Sequence, residues 1–182
     1  MNKQNFNLMK AKLLPVGGLE VSYQLTEVIG EDATTTDYTA THNREVHPDL
    51  ADAFNALRNI VAARLGLLNF EKLRSDVQPK NKSVVDELVE DTLDSIEVRG
   101  VAWSGSGSKR GVVITSVLTT PSGQKVALNT PRFIVSEDDT DLSGHLEALN
   151  EEIFAYLFDS KQAQLSLFGD NQEPENPADG QE

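Results

Sequence analysis

Two apolar stripes at helical spacing constrain this chain most, because each follows a run of alternating, β-branched sequence. Leu50, Ala53, Phe54, Leu57, Ile60, Val61 and Leu65 recur at three- and four-residue steps, with Pro48 where a first helical turn starts and Gly66 where the helix would end. Leu142, Leu146, Leu149, Ile153, Tyr156 and Leu157 repeat the pattern, and that helix should end near Lys161. A helix with one apolar stripe has to bury it against another element.

The elements on offer are strands. Met9 to Leu14 predicts a short first strand, and Pro15–Gly18 a turn, since proline fixes φ and glycine permits positive φ. Leu19 to Ile29 alternates Leu19, Val21, Tyr23 and Leu25 on one face. A turn at Gly30–Asp32 should return the chain along Thr-rich Ala33–His42, which has little helix propensity. After the first stripe, Ser75–Lys82 is polar, contains Pro79 and reads as a loop. Ser83 to Leu93 is a weaker helix with Ser83 as its cap and Asp86 in the capping-box position. Ile96–Trp103, Val112–Thr120 and Gln124–Leu128 are strands, with a flexible Gly/Ser-rich connection over 104–111 and a tight turn at Pro121–Gly123. Arg132–Val135 extends the sheet. The order predicts an α+β fold: one antiparallel sheet with amphipathic helices on one face. Each half ends in a helix after hairpin-like strands, as a duplication would, but no residue-level repeat accompanies it.

Charge and composition narrow the function. The net charge is −13, where a freely binding nucleic-acid module is usually basic. With no cysteine there is no disulfide framework and no thiolate site, which fits a cytoplasmic protein. The polar start from Met1 to Leu8 predicts no signal peptide, and no apolar run is long enough to span a membrane. His42 and His47, with Asp49 nearby, do not make a metal set by themselves, because ligands should converge from several elements. His47 stands at a helix entrance, where it can cap. His145 reads as half-exposed. The acids Glu87, Glu90, Asp91 and Asp94 read as a solvated helix face, and Glu137, Asp138, Asp139 and Asp141 as a helix-leading loop. A metal-dependent nuclease is therefore only a third reading, and the sequence predicts no catalytic residue, metal or cofactor.

The connection from Gly105 to Gly111 lacks phosphate-loop spacing, and a strand rather than a helix follows it. It does hold a basic pair, Lys109 and Arg110, with Arg99 and Trp103 close by. An aromatic with nearby cations on a sheet is one way single-stranded nucleic acid is gripped, so these four residues form the candidate single-stranded DNA contact.

The last candidate lies past the second stripe. Gln164, Leu165, Ser166, Leu167 and Phe168 precede a tail from Gly169 to Glu182 that has acids and prolines but no apolar residue larger than alanine, and that reads as disordered. Three greasy residues beside a solvated tail mark an interaction site. The five residues resemble the peptide with which many bacterial and phage proteins bind the ring-shaped DNA sliding clamp, a Gln-Leu-Ser/Asp-Leu-Phe pattern. All five match, and chance would supply such a match about once in a few thousand chains of this length. The resemblance implies that Gln164 hydrogen-bonds in a small polar pocket. It implies that Leu165 makes a shallow contact, Ser166 stays exposed, and Leu167 with Phe168 anchor in an apolar pocket. A continuing helix that packs these residues on the sheet is the competing reading.

The expected organisation is an α+β domain over 1–161, a docking peptide over 162–168 and an acidic tail over 169–182. The expected function is a non-enzymatic accessory protein of bacterial or phage DNA replication or recombination, acting in the bacterial cytoplasm. Its partners would be the sliding clamp and single-stranded DNA. The alternative is an acidic phage-type inhibitor of a host nucleic-acid-binding protein. Its acids are scattered along the chain, whereas a DNA mimic concentrates them on one face.

Overall fold

A computed structural model of the chain describes residues 5–29, 32–68, 82–135 and 140–169, with side chains at 29, 82–84, 140 and 159–169 outside that description. The elements are β1 (Phe6–Leu13), β2 (Leu19–Ile29), β3 (Asp32–His42), α1 (Pro48–Asn55), α2 (Arg58–Arg64), α3 (Lys82–Asp94), β4 (Ile96–Ser104), β5 (Gly111–Thr119), β6 (Lys125–Asn129), β7 (Phe133–Ile134) and α4 (Thr140–Gly169). The strands form one seven-stranded sheet in the order β3-β2-β1-β4-β5-β6, with β7 paired to β5. Every pairing is antiparallel. The sheet is thus two three-stranded meanders joined through their first strands, β1 and β4.

Both joining strands carry one extra residue. Met9 has no partner between the Leu8–Tyr23 and Lys10–Ser22 pairs, and Arg99 has none between Val98–Ser116 and Gly100–Thr115. A bulge reverses which side chains face the core. Before it, Phe6 and Leu8 are buried; after it, Ala11 is, so that Lys10 and Lys12 turn to solvent instead of into the core. On β4 the same shift follows Ile96 and Val98 with Val101. The strands approach closely here: a Cβ on Gly100 would lie 2.8 Å from the Ala11 carbonyl oxygen, so glycine is required.

The helices cover one face. Leu50, Phe54, Leu57, Val61 and Ala62 from the first helical region and Leu142, Leu146, Leu149, Ile153 and Leu157 from α4 bury against Leu19, Val21, Ile96, Val98, Val112 and Ile114. Each such leucine or isoleucine contributes about 1.5–3 kcal/mol relative to exposure. One end of the core is aromatic: Phe6 lies 5.2 Å from Tyr23 and 5.4 Å from Phe154, and Tyr23 stacks on Tyr38 at 5.3 Å. The opposite face of the sheet is polar, with Gln24–Asp37, Ser22–Thr39 and Thr26–Thr35 bonded across β2 and β3.

Four boundaries differ from the sequence expectation. The first strand starts at Phe6 and ends at Leu13, because pairing on both sides recruits residues whose own pattern is weak. The first stripe is two helices, not one. The Leu57 amide bonds Phe54 in a tightened turn, which still leaves Leu57 fully buried and in line with Phe54 and Val61. The weaker helix begins at Lys82, one residue before the expected cap Ser83. The backbone of α4 remains helical to Gly169, past Lys161, and carries residues 162–168 on its last turns. The loop expected over 75–82 lies outside the described residues up to 81, as does the acidic tail from 170 onward.

Candidate functional site

Two regions carry the residues that the sequence singles out: the end of α4 and a cavity where α4 crosses the sheet. α4 begins near Thr140, with Asp141 in its first turn, where a negative charge complements the helix dipole. Its buried residues run from Leu142 to Leu157 on one stripe, and the half-buried Phe158 closes the aromatic cluster, 6.0 Å from Phe6 and 5.9 Å from Tyr23. Phe158 is the last residue of the chain whose packing is described. Gln164, Leu165, Ser166, Leu167 and Phe168 follow on the helical backbone, and their side chains lie outside the described residues.

The cavity has a volume of about 220 Å³ and lies between β1, the adjoining ends of β4 and β5, and α4. Phe6, Leu8, Leu146 and Val135 give it apolar walls; Asn7, Arg110, Ser143, Glu147 and Asn150 give it polar ones. Trp103 forms one side, and the Arg110 guanidinium carbon sits 4.5 Å from the centre of its ring. Arg110 also donates from Nη2 to the Leu8 carbonyl at 3.0 Å. Its burial pulls the guanidinium pKa below the ordinary value, although cation and ring attract. Two lining residues hold buried polar atoms without a hydrogen-bond partner among the described residues, Trp103 Nε1 and Asn150 Oδ1. A mixed cavity of this size has room for ordered water or a small polar molecule.

The four residues expected to contact single-stranded DNA do not share one surface. Trp103 and Arg110 come together on the helix-covered side. Arg99 is the extra residue of the β4 bulge and pairs with Glu97 at 2.7 Å on the other side. Lys109 is exposed on a short 3₁₀ turn, Gly107–Lys109. Arg132 bridges the two ends of that turn. Arg132 donates to Ser104 Oγ at 2.8 Å, to the Ser104 carbonyl at 3.1 Å and to the Lys109 carbonyl. Sequence reasoning missed Arg132, because nothing local connects it with residues 23 to 28 positions earlier.

The remaining candidates take structural roles. His47 caps α1, its Nδ1 accepting from the Asp49 amide at 3.4 Å and lying 3.1 Å from the Asp49 carboxylate. His42 packs edge-on to Tyr156 at 5.3 Å. Asp94 pairs with Arg58 at 3.2 Å. Glu137, Asp138 and Asp139 lie outside the described residues. Among the described residues, no three or more metal-ligating side chains converge, and no helix is long and apolar enough to cross a membrane.

Comparison with family models, curated proteins and solved structures finds no match for this chain. The functional reading therefore rests on the residues themselves.

Proposed function

We propose that this chain is a non-enzymatic accessory protein of bacterial or phage DNA metabolism, recruited to a DNA sliding clamp through Gln164–Phe168. The observation that carries the reading is the complete five-residue match beyond Leu157, the last described core position of α4. The buried stripe of α4 advances by three and four residues from Leu142 to Leu157. The same steps next reach Ser160 and Lys161, both polar, so the stripe is interrupted over Asp159–Gln162 before a further four-residue step reaches Leu165. Beyond Ala163, the apolar residues are those of the peptide, Leu165, Leu167 and Phe168.

The last turns of a helix are marginal in water on their own, so unwinding Gln164–Phe168 to an extended docking form would cost little. Leu167 and Phe168 would supply the buried anchors, and a short segment that orders on binding would bind near the micromolar range. The body then acts as the cargo that the peptide brings to the clamp.

The test is binding of the full chain to a purified bacterial clamp, measured by interferometry, with a synthetic Gln164–Phe168 peptide as competitor. Saturable binding that the peptide displaces and that the Leu167→Ala/Phe168→Ala chain lacks supports the proposal. Equal binding by the double variant, or none by the parent chain at about 100 μM, overturns it.

A further inference from the structure

The two edges of the sheet are built differently. On the β6 side, the partner strand is five residues long and opens with Lys125. Beyond it, Thr130 closes the edge of β5 by exchanging bonds with Ile114: its amide donates to the Ile114 carbonyl and its Oγ1 accepts from the Ile114 amide, both at 2.9 Å. β7 then covers Gly111 and Val112. The β3 edge has none of these devices. β3 is eleven residues long and keeps unbroken register with β2, from the Leu19–His42 pair to the Ile29–Asp32 pair. It contains no Lys, Arg, Pro or Gly, its only bulky apolar group is Tyr38, and nearly all of it is exposed. A long, regular edge without lysine, proline or a bulge is a template for another strand, and proteins that avoid such pairing blunt it.

The side chains point to the occupant. On the polar face, a chain of hydrogen bonds runs outward across the sheet. Asn7 Nδ2 donates to Gln24 Oε1 at 2.9 Å, and Gln24 Nε2 donates to Asp37 Oδ1 at 2.9 Å. The chain ends at the edge on a carboxylate, which can only accept. On the helix-covered face, Tyr38 continues the aromatic row outward from Tyr23 and is 42% exposed. Residues on one face of a sheet have the same parity, so a twofold pairing of β3 with itself must be centred on a single residue. Centring on Asp37 would set two carboxylates against each other. Centring on Tyr38 sets Tyr38 against Tyr38, Thr36 against Ala40, Thr35 against Thr41, and Asp37 against Thr39, whose hydroxyl is the donor that Asp37 needs. It also brings the Asp32 end of one strand towards the Arg44 segment of the other.

We propose that β3 is a self-association edge: two copies pair antiparallel through β3, centred on Tyr38, to form one continuous sheet across a twofold axis. The contact is isologous, so it closes at a dimer. It is independent of the clamp-docking reading.

Light scattering of the full chain at about 100 μM, where a micromolar pairing is saturated, should give twice the 19.9 kDa chain mass. Thr36→Lys, an exposed change facing the partner strand, should halve that mass while leaving the circular dichroism unchanged. The chain has no native cysteine, so register can be read directly. Tyr38→Cys should cross-link to itself under mild oxidation, and Thr34→Cys, which would face His42, should not. A monomeric parent chain, a dimer that survives Thr36→Lys, or cross-linking at Thr34→Cys as complete as at Tyr38→Cys would each overturn the proposal.

Discussion

Arg110 lies face-on to Trp103, 4.5 Å from the ring centre, and holds the Leu8 carbonyl at 3.0 Å. One side chain just after the 3₁₀ turn thus joins β4 to β1 at the seam between the two meanders. It also forms a wall of the cavity beneath α4. A residue that looks like half of a surface basic pair is therefore a structural tie.

Arg110→Ala should cost about 1–3 kcal/mol, because it leaves the Leu8 carbonyl without its donor and uncovers the indole. Arg110→Lys should recover only part of this, since an ammonium lacks the planar face that stacks. Trp103 is the only tryptophan, so its emission reports this site directly during urea denaturation.

Gly100→Ala should destabilise the sheet by about 1–3 kcal/mol, because the new methyl meets the Ala11 carbonyl at the β1–β4 seam. The measurement is the denaturation midpoint. Gly144→Ala, where a Cβ meets nothing within 4 Å, is the matched control and should be neutral or stabilising.

Ile153→Ala and Leu167→Ala/Phe168→Ala should separate core from docking. Ile153 is fully buried, and its truncation should cost about 2–5 kcal/mol. The double change should leave the melting temperature close to the parent value while lowering clamp affinity about tenfold or more.

Stability should fall as pH rises beyond about 10, the ordinary range of tyrosine. Burial raises the Tyr23 pKa, with the nearby Tyr38 adding to it, and burial likewise raises that of Tyr156. The folded state therefore keeps these phenol protons at a pH where the unfolded chain has lost them. Their contribution is complete below the unfolded value and disappears through the folded one. Tyr23→Phe should flatten the alkaline limb of a denaturation-midpoint profile.

Much of the architecture is local in origin. The alternation of Leu19, Val21, Tyr23 and Leu25 dictates a half-buried strand, and β2 spans Leu19–Ile29 as that pattern predicts. The stripe from Leu142 to Leu157 dictates a helix that buries one face, and it does so. The α+β class follows, because a period of two and a period of 3.6 are properties of neighbouring residues. The five residues Gln164–Phe168 are likewise a matter of sequence alone.

Tertiary structure decided what depends on distant partners. The pairing of β1 with β4 places an N-terminal strand beside one some 90 residues later, and the bulges at Met9 and Arg99 are what let both strands present apolar groups to the same core. The bulge turns Arg99 towards Glu97, while the fold brings Arg110 to Leu8 and Arg132 to Ser104 and Lys109. No spacing rule encodes those bonds, because loop closure and burial, not local propensity, select them. The same long-range pairing leaves β3 with β2 as its only strand neighbour among the described residues, a property that its threonine-rich sequence cannot state until its neighbours are known.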